Sequence, residues 1–257
     1  MRTLAVYNIK GGVGKTATAV NLAYLASLYG VRTLVWDLDP QGAASFYFRI
    51  RARVKGGGKK LVRGDTDPDL RIKATDFPGL DLLPADFSYR HLDLALDGTR
   101  KPLKRIGKIL KPLAREYDLL IVDCAPSISL VSESVFRAAD ALLVPTIPTP
   151  LSLRTLLQLL RSLSGIKTKG LTVLPFFCMV DRRKSLHRKT ADLAEEIPIP
   201  FLRTEIPYSS LVEQMGLHRA PLATYARTSK PARAYEALWR EIRDRESASL
   251  SGTPHSR

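Results

Sequence analysis

Apolar positions along the chain fall into two patterns. Short apolar runs, Leu4 to Tyr7, Thr33 to Asp37, Leu119 to Asp123 and Ala141 to Pro145, the second and third ending in a carboxylate, are as expected of strands buried on both faces. A strand is also expected over residues 4–9 as a whole, and others at Leu80–Leu83, Leu171–Val173 and 201–206. Between these runs the apolar residues recur at helical spacing: over 16–29, ended by Gly30, then over 152–163, 184–196 and 231–245. In the last of these, Tyr235, Leu238, Trp239 and Ile242 form a stripe that reads as core packing. A basic helix is expected over 100–116, with Leu103, Ile106, Ile109, Leu110 and Leu113 on one face and Pro112 interrupting it. Strands alternating with helices predict a single α/β domain over residues 1–246, with a mostly parallel, doubly wound sheet flanked by helices.

Two stretches break the alternation. Residues 49–73 carry Arg49, Arg51, Arg53, Lys55, a Gly56-Gly57-Gly58 run, Lys59, Lys60 and Arg63, then an Asp65-to-Asp69 turn, and read as a mobile basic insertion. Residues 247–257 are polar, with Ser, Gly and Pro, and read as a disordered tail. Charge changes the picture further: 40 basic against 25 acidic residues leave a formal net charge of +15. Such an excess favours a polyanionic partner, nucleic acid before anionic membrane. Cys124 and Cys178 are the only cysteines, each inside an apolar stretch, which suits reduced core thiols rather than a disulfide framework or a zinc site. The start of the chain enters a strand at once and no apolar run approaches membrane-spanning length, so a cytoplasmic location is expected.

The candidate chemistry sits at residues 8–16, Asn8-Ile9-Lys10-Gly11-Gly12-Val13-Gly14-Lys15-Thr16, between the first strand and the first helix. Strand, glycine-rich loop and helix together make a phosphate cradle, because glycines let successive N–H groups converge on an anion at a helix N-terminus. The fold is accordingly expected to be a P-loop NTPase. Gly11, Gly12, Val13, Gly14, Lys15, Thr16 and Ala17 form the candidate nucleotide-binding segment, with Lys15 reaching the outer phosphates and the Thr16 hydroxyl ligating Mg2+. The loop departs from the common G-x-x-x-x-G-K-[ST] pattern: the first glycine would fall at Ile9, and an extra lysine, Lys10, lies inside the loop. Asp37 and Asp39 follow the second strand, and Asp123 ends the apolar run at 119–122. A carboxylate in that last place holds the Mg2+ shell in phosphate-loop nucleotidases, and Asp39 is placed to orient an attacking water. Alone, each would read as a turn or helix cap.

Three segments, Lys10 to Thr16, Asp37-Leu38-Asp39-Pro40-Gln41-Gly42 and Ile121-Val122-Asp123-Cys124-Ala125-Pro126-Ser127, resemble the nucleotide motifs of the ParA/MinD family. The likeness continues through Val144-Pro145-Thr146, Met179-Val180-Asp181-Arg182, Thr204-Glu205-Ile206-Pro207 and Ala234-Tyr235-Glu236-Ala237-Leu238, nearly the whole chain. It is strongest toward short ParA/Soj-like proteins, which lack an added N-terminal DNA-binding domain. The resemblance implies a slow ATP hydrolase that uses ATP and Mg2+ and forms an ATP-dependent sandwich homodimer. It implies that Lys10 reaches the partner's phosphates, that Gly12 lets the partner's loop approach, and that Asp39 serves hydrolysis and, with Thr16 and Asp123, the metal. Pro207 and its neighbours would line the adenine pocket. The dimer would bind nonspecific double-stranded DNA, making the protein nucleoid-associated, and a ParB-like or other adaptor would stimulate hydrolysis.

The departures are specific. Tyr208 stands where Soj-like proteins commonly place a DNA-binding arginine after the Ile-Pro pair, whereas Arg182 or Arg183 matches the other frequent DNA-contacting arginine. The insertion at 49–73 and the segment after Pro145 also leave the usual pattern. Arg182, Arg183, Lys184, Arg203, Arg219 and Lys230 are the DNA-binding candidates, while Arg100, Lys101, Lys104, Arg105, Lys108 and Lys111 read equally well as a solvated face. Two other classes compete: a MinD-like membrane-associated ATPase, for which the end of the chain lacks an apolar cluster, and a metabolic P-loop reductase or synthetase, for which neither cysteine matches the cluster-ligand pattern.

Overall fold

The computed structural model describes residues 1–64, 71–168 and 170–251. Its elements, in chain order, are β1 (Arg2–Val6), α1 (Lys15–Leu28), β2 (Thr33–Asp37), α2 (Ala43–Tyr47), α3 (Gly57–Arg63), β3 (Lys73–Ala74), β4 (Leu80–Leu83), α4 (Leu92–Asp97), α5 (Arg105–Leu110), β5 (Leu119–Asp123), α6 (Leu130–Ala138), β6 (Ala141–Thr146), α7 (Pro150–Ser164), β7 (Thr172–Val180), α8 (Ser185–Leu193), β8 (Ile206–Pro207), α9 (Ser210–Glu213), α10 (Met215–His218), α11 (Ala223–Ala226) and α12 (Lys230–Ser251). The strands form one eight-stranded sheet in the order β3-β4-β2-β5-β1-β6-β7-β8. Every pairing is parallel except that of the two-residue edge strand β3.

Alternate side chains of each strand enter opposite layers, as the two-residue strand period requires. Leu4 and Val6 of β1 pack with α1, α2 and α12, including Tyr235, Leu238, Trp239 and Ile242. Ala5 and Tyr7 point the other way, into a core closed by Ile106, Ile109, Leu110, Leu113, Phe136 and Leu156. The α12 stripe is therefore core. No helix among the described residues is long and apolar enough to cross one.

The basic stretch read as a loose insertion is built into the second core. Residues 57–63 are the helix α3, with Leu61 and Val62 buried and Val54 beside them, while Asp65 to Asp69 lie outside the described residues. The expected helix at 100–116 is divided: 3-10 turns at Pro102–Lys104 and Pro112–Arg115 flank the six-residue α5, as the two prolines dictate. The strand expected at 201–206 shrinks to Ile206–Pro207, because the N–H groups of Arg203 and Thr204 donate to the Glu241 carboxylate on α12. The last helix runs to Ser251, so the first part of the expected tail is helical backbone, and residues 252–257 lie outside the described residues.

Candidate functional site

β1, β2 and β5 lie side by side and in register, Val6 and Asp37 both opposite Asp123, so their carboxyl ends meet on one edge of the sheet. The loop after β1 closes over that edge. Asn8 anchors it, donating from Nδ2 to the Pro145 carbonyl of β6 at 2.9 Å and accepting from the Lys10 N–H at 2.9 Å. Gly12 and Gly14 adopt left-handed backbone, with φ of 70° and 90°. At Gly14 a side chain is doubly excluded, since a Cβ there would approach the Cys178 sulfur to 2.9 Å. α1 then starts at Lys15 with no side-chain cap and no acidic residue in its first turn. Its free N–H groups and positive dipole end are left for an anion.

Lys15 is buried, and its ammonium donates to the Lys10 carbonyl at 3.2 Å. Burial lowers its pKa, opposed by the charges of Asp123 and Asp39. The backbone of Lys10 is thus fixed at both ends, while its half-exposed ammonium engages no partner among the described residues. Gly11 and Gly12 are exposed, and Val13 is buried beneath them. Thr16 and Ala17 are half-buried on the first turn of α1.

Three carboxylates face this loop. Asp37 is fully buried and accepts from the Ser45 N–H and hydroxyl, both at 2.7 Å; burial pushes its pKa up to about 6 against those bonds. Asp39 is half-buried in a turn, accepting from the Gln41 N–H at 2.9 Å. Asp123 is fully buried, with no donor in good hydrogen-bonding geometry to either oxygen; the Thr16 hydroxyl is the polar group that faces it. Burial, then the neighbouring Asp37 charge, raises its pKa well above the carboxylate range, although the Thr16 hydroxyl and Lys15 favour the charged form. A buried carboxylate so poorly satisfied is a costly arrangement, which a hard divalent cation with its waters would relieve. No cluster of three or more carboxylate, thiol or imidazole ligands forms among the described residues. That suits Mg2+, which takes one or two protein ligands and completes its shell with water and phosphate oxygens. Cys124 and Cys178 are buried, which raises both thiols, Cys178 to about 12.

Pro207 joins this loop through a narrow crevice of about 40 Å³, lined also by Gly14, Cys178, Met179 and Tyr235. Next to it opens a cleft of about 590 Å³ that gathers Arg182, Arg183, Arg203 and Lys230 with Asp181, Glu205 and Tyr208. Two of its four cations are neutralised: Arg182 pairs with Glu205 and Arg183 with Asp181, each at 2.9 Å. Lys184 precedes α8 outside this lining, and Arg219 lies apart from it. The Arg219 guanidinium stacks over Phe46 of α2 and donates to its carbonyl, while Arg49 donates back to the carbonyls of His218 and Arg219. Both arginines take left-handed backbone, with φ of 59° at Arg49 and 48° at Arg219. Sequence reasoning missed the Asn8 anchor and this clasp. Asn8 had a signal, an amide just past a buried strand; the clasp had none.

The family model described as an AAA domain matches residues 1–174. The chromosome partitioning protein ParA of Caulobacter vibrioides is 31% identical over 96% of this chain and 95% of its own length. The sporulation initiation inhibitor protein Soj of Bacillus subtilis is 30% identical over 94% of this chain and 98% of its own. Among solved structures, cobyrinic acid a,c-diamide synthase from Mycobacterium smegmatis with bound ADP and magnesium superposes with a TM-score of 0.80 and 28% identity, covering 93% of this chain and 92% of that one. The cell division ATPase MinD of Pyrococcus furiosus, at 22% identity, shares the fold with a TM-score of 0.77 over 95% of this chain and 98% of its own.

Proposed function

The chain belongs to the ParA/Soj branch of the ParA/MinD family of P-loop ATPases, and from that premise we propose that it is an ATP-driven switch that positions or segregates a cargo on nucleoid DNA. The cargo is a plasmid, a chromosome or a large protein assembly. ATP binding joins two subunits into a sandwich dimer, the dimer holds nonspecific double-stranded DNA, and hydrolysis releases it. The γ-phosphate must therefore favour the dimer, and the dimer must favour DNA. A ParB-like adaptor accelerates an otherwise slow hydrolysis.

Within the subunit, the N–H groups of Gly11 to Ala17 hold the phosphates and Lys15 neutralises the outer ones. Pro207 and its neighbours line the adenine pocket. Asp39 orients the attacking water. Thr16, Asp123 and Asp39 are the groups that would hold Mg2+ and its waters, and the ion would supply neutralisation of the phosphate charge there. Lys10 serves the nucleotide of the neighbouring subunit. Arg182, Arg183, Lys184, Arg203, Arg219 and Lys230 supply phosphate contacts to DNA, sequence-independent and weakened by salt.

The observation that carries this reading is the contrast between two lysines of one loop. Lys15 is buried and turned back onto its own loop, whereas the Lys10 ammonium has no partner within the described subunit. The test is light scattering with ATP and a phosphate-release assay. Asp39→Ala should dimerise and stay on DNA while releasing no phosphate; a variant that remains monomeric with ATP would refute the role of Asp39. Lys10→Ala should bind ATP as a monomer, and its dimerisation would remove the in-trans lysine.

A further inference from the structure

The cations of α5 and its flanking turns are not absorbed by the reading above. Ile106, Ile109, Leu110 and Leu113 are buried in the layer opposite to the one that holds α12, so this surface lies across the sheet from the Arg182–Lys230 cleft. Lys101, Lys104, Lys108 and Lys111 are exposed along α5 and the two 3-10 turns that flank it. Arg100, Lys101, Arg105 and Lys108 line a cleft of about 230 Å³ with Thr99, large enough for a phosphodiester group and containing no carboxylate. Arg105 holds the surface together by donating from Nε to the Val62 carbonyl of α3.

Charge balance separates the two basic surfaces. The Arg182–Lys230 cleft sets four cations against Asp181 and Glu205, with both acids in ion pairs. Among the described residues no cation from Arg100 to Lys111 forms an ion pair; the nearest acids in sequence, Asp97 and Glu116, engage none of them. Unpaired cations pack at such density against their mutual repulsion, which a polyanion relieves while releasing its own counterions. The exposed large apolar side chains of the described chain all lie outside residues 99–117, so the surface lacks the inserting groups of a membrane anchor. A basic activating peptide would be repelled.

We propose that the α5 segment and its four-cation cleft form a second contact surface for the phosphate backbone of double-stranded DNA, separate from the C-terminal basic cleft. With it, one subunit can engage duplex on two faces, bridging segments or wrapping one. The full chain with ATP is titrated with a fluorescent duplex of random sequence across a salt series. Lys101→Gln/Lys104→Gln/Lys108→Gln should bind about tenfold more weakly at low salt, with the log–log salt slope shallower by about 2 to 3, and should keep basal ATP hydrolysis. Arg182→Gln/Arg203→Gln in parallel tests the C-terminal cleft: loss in the first variant alone upholds the new surface and removes the other. Unchanged affinity and slope in the first variant overturn the proposal whatever the second does. Binding lost only to anionic phosphatidylglycerol vesicles, with duplex binding intact, overturns it as well. In the unsubstituted protein, duplex should protect Lys104 and Lys108 from amine acylation, and labelling at the free-protein rate counts equally against it.

Discussion

Substituting Gly14 with alanine separates two costs that meet at one atom. The residue sits at φ 90°, where an L side chain costs about 1–3 kcal/mol. The added Cβ would also stand 2.9 Å from the Cys178 sulfur, inside contact distance and against a buried strand, an overpacking of about 1–3 kcal/mol. Together Gly14→Ala should destabilise the protein by about 2–6 kcal/mol, lowering Tm by roughly 4 to 24 °C for a chain of this size. Differential scanning calorimetry of Gly14→Ala, Cys178→Ala and the double variant divides the total. Cys178→Ala removes the sulfur and leaves the backbone strain, so the double variant should be more stable than the summed single effects by about 1–3 kcal/mol. Additivity within about 0.5 kcal/mol would refute the contact and leave the backbone conformation as the whole reason for glycine.

Two further substitutions report on buried polar groups. Asp123→Asn replaces a buried carboxyl beside the Asp37 charge with a neutral amide, so without nucleotide the unfolding free energy in urea should stay level or rise while Mg2+-dependent phosphate release falls; a loss of more than about 1 kcal/mol would contradict the crowding of buried acids here. Asn21 is buried on α1, and its Oδ1 accepts from the Leu222 N–H at 2.8 Å. Asn21→Ala leaves that donor unsatisfied and should cost about 1–3 kcal/mol, seen as a lower urea midpoint at constant m.

The strands were legible because a strand covered on both faces must be apolar at every position: β2 at Thr33–Asp37 and β5 at Leu119–Asp123 are read from the sequence to the residue. The phosphate loop was legible for a different reason, since converging backbone donors require glycine in a fixed order before a helix. What stayed hidden depends on partners distant in the chain. The four-residue helices α9, α10 and α11 are too short to show a period. α3 looked like a charged loop because only Leu61 and Val62 commit it to the core, and three glycines precede them. The segment before β8 looked like a strand until Glu241, far along the chain, took its amide donors. Arg219 reads as one more surface cation, and only the fold shows it stacked on Phe46.

That stacking completes a path. The Asp39 turn leads through Gly42 into α2; α2 is clasped by Arg219 and Arg49 to the end of α10; α9 precedes α10, and its Val212 and Glu213 line the crevice with Pro207 and Gly14, which returns to the phosphate loop. The loop over the anion, the hydrolytic turn and the C-terminal helices are thus links of one closed mechanical circuit, held by contacts and without a free end. Asp39 and the α9–α10 segment are thereby joined by an unbroken chain of contacts, the physical precondition for any coupling between them.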